Sequence, residues 1–186
     1  MSCPTLLPSI VFFSFTKERL GFTHVNVGDL IQQHKCYEGH DDELDTNILD
    51  EDKLLDVLEP ILGGDDDDED ENDGTEGDHT DKIGGKVADF HICEIFPERW
   101  FDLVLVLRAN TEVLFDRLTA RDYSEKKRSE NMECEIMQVI LEAAKEAYDT
   151  SIVHEVPSNT IEDMESNVQR VAEWSKQWIN DNNTAT

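Results

Sequence analysis

Five short apolar runs, Ile10–Phe13, His24–Val27, Lys86–Phe90, Asp102–Leu107 and Ile152–Val156, alternate with segments whose apolar residues recur every three or four positions. Runs rich in β-branched and aromatic residues are the strands of a sheet buried on both faces, and the intervening 3.6-residue period marks helices that cover it. Over Asp50–Leu62 the stripe is Leu54, Leu55, Leu58 and Leu62; over Thr111–Arg121 it is Leu114, Phe115 and Leu118. A helix over Ser129–Tyr148 sets Met132, Ile136, Val139, Ile140, Ala143 and Ala147 on one face. The last helix opens on a capping box of Thr160 and Asp163, followed by a stripe of Ile161, Met164, Val168, Val171, Trp174 and Trp178. Strand–helix alternation of this kind predicts an α/β fold with a parallel sheet and helices on both faces. At 186 residues one domain over 1–186 is expected.

Charge narrows the partners. Forty-three acidic residues against 16 basic ones give −27, which repels nucleic acid and anionic membranes and favours basic proteins. No direct contact with nucleic acid is therefore expected, and no run reaches the ~20 apolar residues of a membrane span. The N-terminal apolar stretch has no basic residue before it and is interrupted by prolines, so it reads as a first buried strand rather than a signal helix. Cys3, Cys36, Cys93 and Cys134 form no paired motif, which argues against a zinc site or disulfide framework and for a reducing, intracellular setting. Residues 63–85 hold eleven acids and one lysine between glycine pairs, a composition expected to form a disordered surface loop. Such a loop acts either as an acidic lure for a basic protein or a divalent cation, or as a neutral insertion, the reading favoured by the small stability cost of long insertions.

Two clusters carry the chemistry. Arg117, Arg121, Lys126, Lys127 and Arg128 gather five of the 16 basic residues into twelve positions. A loop of this kind, hinged between two helices, suits closure over a transferring phosphoryl group; the same residues also suit a helix C-terminus, whose dipole they complement. Asp89 and His91 close an apolar strand, at the end of the sheet where α/β proteins hold ligands. A strand-end aspartate is suited to holding magnesium through water, while His91 either orders a water or substrate or serves the packing.

The segments NVGDL (26–30), YEGHDDELDTNILDED (37–52), DFHICEIFPERWF (89–101), VLVLRANTEVLFDRL (104–118), RDYSEKKRSEN (121–131), CEIMQVILEAA (134–144) and IVHEVPSN (152–159) resemble the adenylate kinase isoenzyme 6 family. The resemblance implies a small P-loop nucleoside-monophosphate kinase with a five-stranded parallel core, a monophosphate-binding segment over 26–49 and a lid over 120–130. It implies catalytic roles for Asp89 and His91, magnesium held at Asp89, and nucleotide binding by Arg121, Lys126, Lys127, Asn26, Gly28 and Asp29. The substrates it implies are ATP, with Mg2+, and AMP, giving two ADP, with some ATPase activity. It further implies a role in small-subunit ribosome maturation, with a small-subunit ribosomal protein as partner, in nucleus and cytoplasm, and a monomer.

One part of the family pattern is missing. Members carry Gly-x-x-x-x-Gly-Lys-Ser/Thr after the first strand; here Phe13 is followed by Ser14-Phe15-Thr16-Lys17, with no glycine to let backbone N–H groups converge on phosphate. Only residues 14–24 separate Phe13 from Val25, too few for a glycine loop and a full helix, so a contiguous block is expected to have been excised rather than lost by drift. Gln32 stands where adenylate kinases place an arginine, and Ile92 where the family has glycine. The sequence therefore predicts an impaired kinase; the alternative is a non-catalytic acidic module that binds a basic ribosomal protein.

Overall fold

The computed structural model of the chain describes residues 20–41, 46–63 and 85–183. The strand expected over Ile10–Phe13, the Ser14–Lys17 stretch, and the acidic segment apart from Gly63 and Gly85 lie outside them. In chain order the elements are β1 (Thr23–Asn26), α1 (Val27–His34), β2 (Tyr37–Asp41), β3 (Thr46–Leu49), α2 (Glu51–Leu58) and β4 (Lys86–Asp89). They continue with β5 (Val104–Arg108), α3 (Thr111–Ala120), α4 (Glu125–Ile136), α5 (Val139–Ala147), β6 (Val153–Pro157) and α6 (Ile161–Asn183).

The architecture is mixed α/β. β1 pairs in parallel with β4, and β5 in parallel with β6. β2 and β3 form an antiparallel hairpin that the apolar pattern does not announce, because its residues are mostly polar. Among the described residues each ladder has two strands, so the expected single five-stranded sheet is not formed by them.

β4 and β5 are nonetheless covered on both sides. Successive residues along β5 face opposite layers: Leu105 and, just before the strand, Leu103 pack on the Met164, Val168 and Val171 stripe of α6, whereas Val104 and Val106 pack with Leu141 and Ala144 of α5. Val87 of β4 joins the α6 layer, and Ala88 packs with Val27, Ile31, Leu54 and Leu58 of α1 and α2. Alternation along a strand sends neighbours to opposite faces, so one helical layer lies on each.

Two expectations change. The helix over Ser129–Tyr148 is broken: α4 ends at Ile136, Gln138 is left-handed with φ 57°, and α5 starts at Val139. The break rotates the second half, so Leu141 and Ala144 become the buried residues while Ile136 and Val139 are exposed. On α6 the stripe is buried only in its middle; Ile161 and Trp178 are exposed, and the Trp174 and Trp178 rings lie 6.4 Å apart.

Candidate functional site

The parallel register of β1 and β4 sets Asn26 opposite Asp89 at the carboxyl ends of the strands. The Asp89 side chain is only 10 % exposed, its Oδ2 lies 3.8 Å from His24 Nε2, and that oxygen accepts no hydrogen bond among the described residues. Burial without such a bond pushes the Asp89 carboxyl up to about 6. Asn26 turns the strand into α1: its Oδ1 accepts from the Asp29 N–H at 3.1 Å, the N-cap arrangement. A Cβ at Gly28 would come within 3.3 Å of that same oxygen, so glycine clears room for the cap. Asp29 adds its charge to the positive end of the helix. Three of the sequence-predicted nucleotide residues, Asn26, Gly28 and Asp29, thus stand at one strand–helix junction beside Asp89.

His91 follows in the loop after β4, its ring 4.5 Å from that of Phe90, and burial lowers its pKa so that it stays neutral near pH 7. This loop is pinned by Tyr148, whose hydroxyl donates to the Cys93 carbonyl and lies 3.4 Å from that of Phe96. Burial, with Glu94 alongside, raises the Cys93 thiol to about 11, leaving it a protonated packing group. The FPERWF stretch is also structural. Phe96 is buried against Phe90, Trp100 and Phe101, Glu98 accepts from the Asp149 N–H at 2.7 Å, and Arg99 pairs with Glu59 at 2.9 Å.

The cationic cluster occupies the elbow between α3 and α4. Arg121 is the C-cap of α3, and Asp122 takes φ 56° to turn the chain. Ser124 then caps α4 by accepting from the Lys127 N–H at 3.3 Å. Lys126, Lys127 and Arg128 therefore stand on the first turn of a helix rather than in an open loop. Lys127 Nζ lies 4.3 Å from the centre of the Tyr123 ring, Arg128 lies 5.8 Å from that of Phe115, and Lys126 approaches Glu130 at 3.9 Å. Arg117 has a different duty: it donates to the Ser158 and Asn159 carbonyls at 2.7 and 3.0 Å, tying α3 to the loop before α6. Partial burial and the nearby Arg121 lower its pKa.

Arg108, at the carboxyl end of β5, belongs to neither of the two clusters that the sequence marks. Its Nε donates to Glu135 Oε1 at 2.6 Å, its Nη2 to the Glu135 carbonyl at 3.1 Å and its Nη1 to Glu155 at 3.0 Å. The signal available was a charged residue closing an otherwise apolar strand. Nothing in the sequence marks His24 either, since only the strand register brings it to Asp89.

Among the described residues no three His, Cys, Asp or Glu side chains gather into a protein cage for a metal. Asp89 offers a single carboxylate, 10 % exposed, whose Oδ2 is buried without a hydrogen-bond partner among the described residues; one such acid fits a magnesium ion that keeps most of its ligands as water and substrate phosphate.

Residues 14–138 match the AAA domain family. The chain is 45% identical over 153 residues to an adenylate kinase isoenzyme 6 homolog of Candida albicans, covering 82% of this chain and 54% of that protein. It is 42% identical over 164 residues to the homolog of Caenorhabditis elegans, covering 88% of this chain and 81% of the relative. With the homolog of Saccharomyces cerevisiae it shares 39% identity over 166 residues, 89% of this chain and 75% of the relative.

Proposed function

This chain belongs to the adenylate kinase isoenzyme 6 family, and on that premise we propose that it is a nucleoside-monophosphate kinase-type protein that binds Mg-ATP and AMP and interconverts them with ADP. The observation that carries this reading is the buried strand-end carboxylate of Asp89, set by strand pairing beside the Asn26–Asp29 helix start. Asp89 would hold magnesium through water, and the ion supplies neutralisation of phosphate charge when bound. Arg121, Lys126 and Lys127 on the elbow contact the phosphates of ATP, while Asn26, Gly28 and Asp29 line the monophosphate side. His91, kept neutral by burial, orders water or substrate there. Because no Gly-x-x-x-x-Gly-Lys-Ser/Thr segment occurs in the sequence, the phosphate grip rests on the elbow, and turnover is slow.

Titration with Mg-ATP and AMP, read as nucleotide affinity and ADP formation, tests this. Weak but saturable binding is expected, lowered about tenfold or more by Asp89→Asn and by joint replacement of Lys126 and Lys127 with alanine, since each removes a charge on the metal–phosphate group. Absence of binding at millimolar nucleotide would sink the proposal. The −27 charge favours a second reading, a module that docks on a basic small-subunit ribosomal protein. Co-purification that disappears in high salt supports it, and a complex indifferent to salt counts against it.

A further inference from the structure

α4 carries the elbow's lysines, yet it buries no apolar side chain. Its one fully buried residue is Asn131, whose amide donates to the Lys127 carbonyl of the same helix at 2.7 Å. Met132 and Cys134 are only half-buried, so hydrophobic packing holds its direction weakly. A polar grip is added by Arg108, which takes both the side chain and the main-chain carbonyl of Glu135 in the last turn. That carbonyl lies where the chain leaves the helix at Met137 and Gln138, and there it accepts from the Gln138 N–H at 3.1 Å, a bond one residue shorter than the helical one. The guanidinium adds a second donor to that oxygen, and its third contact, to Glu155, roots it on β6. Arg108 and Glu135 are 17 % and 15 % exposed, so water competes little for the pair.

We propose that Arg108 is a positioning residue: through Glu135 it anchors the C-terminal end of α4 to the ends of β5 and β6, and so holds the cationic elbow at the other end of that helix in place. The inference goes beyond the nucleotide reading, since it concerns what orients the elbow whichever anion the elbow meets.

Limited trypsin digestion of the full chain without nucleotide reads it directly, because Lys126, Lys127 and Arg128 are themselves cleavage sites. In Arg108→Met, cleavage at these three positions is expected to accelerate about tenfold, as the helix opens without its charged anchor, while cleavage at Arg170 and Lys176 in α6 keeps its wild-type rate. Glu135→Gln, which keeps an oxygen for the Nε–H but loses the charge, gives a smaller rise at the same sites. Arg108→Lys restores charge without the fork and fails to rescue. Unchanged elbow cleavage in both Arg108→Met and Glu135→Gln, or equal acceleration at every site, overturns the proposal. Should Arg108→Met not fold, hydrogen exchange of the α4 amides in Glu135→Gln decides in its place: faster exchange confined to α4 supports the anchor, and wild-type protection overturns it. Adding Mg-ATP separates the two readings, since lack of protection in the wild type counts against nucleotide binding and leaves the nucleotide-free comparison standing.

Discussion

Asp89 keeps a carboxylate where little compensates for its lost water, and the consequence is a pH dependence with a definite sign. In the fold its pKa lies near 6, against an ordinary value of 3.8, so the folded form holds this proton more tightly than the unfolded chain. Its contribution to stability is therefore most favourable below about pH 4 and declines as pH rises towards 6. Asp89→Asn should raise stability at pH 7 by up to about 3 kcal/mol and flatten the decline, as read by urea unfolding across that pH range. A group of this kind destabilises the apo fold and is typical of ligand sites. Arg117 works the other way, since two carbonyl contacts fasten α3 to the Ser158–Asn159 loop. Arg117→Met should cost about 1–3 kcal/mol by thermal or urea unfolding, the range for charged hydrogen bonds that are partly screened. Its neighbours in the cluster should cost far less, because exposed cations over rings or near a glutamate contribute little.

At the level of elements, boundaries written in local chemistry were legible. Thr160 and Asp163 cap α6 reciprocally, with Asp163 N donating to Thr160 Oγ1 at 3.1 Å and Thr160 N to Asp163 Oδ2 at 3.2 Å. The Leu54 and Leu58 face of α2 is fully buried, as its period predicts, and Asp50 caps the helix. The break at Gln138 was not legible, because no glycine or proline marks it and the apolar period runs through it. Backbone bonds from Met137 and Gln138 close the helix end, and a distant arginine adds a further donor there. Gln138→Gly should therefore stabilise the protein by as much as about 1 kcal/mol, since glycine takes a positive φ without strain, whereas the β-branched Gln138→Val should destabilise it. Gly63 illustrates a close approach: a Cβ there would run into the Trp100 indole. Gly63→Ala should cost about 1–3 kcal/mol by thermal unfolding, as overpacking does elsewhere.

For the molecule as a whole, −27 charges on 186 residues make self-repulsion a term in stability. Moderate salt should raise the melting temperature, and the midpoint measured against sodium chloride concentration should climb before levelling as screening saturates; a flat response would mean that the charges lie too far apart to matter. The sequence by itself determined the α/β class, the cap of the last helix, the family and the clustering of positive charge, because these follow from residue periods, short-range hydrogen bonds and local order along the chain. Only the tertiary structure decided that His24 lies against Asp89, that Arg117 is taken up by a loop forty residues away, and that Arg108 holds the end of α4. Those contacts depend on strand register and on how helices cross the sheet, and such geometry is fixed by packing between segments far apart in sequence.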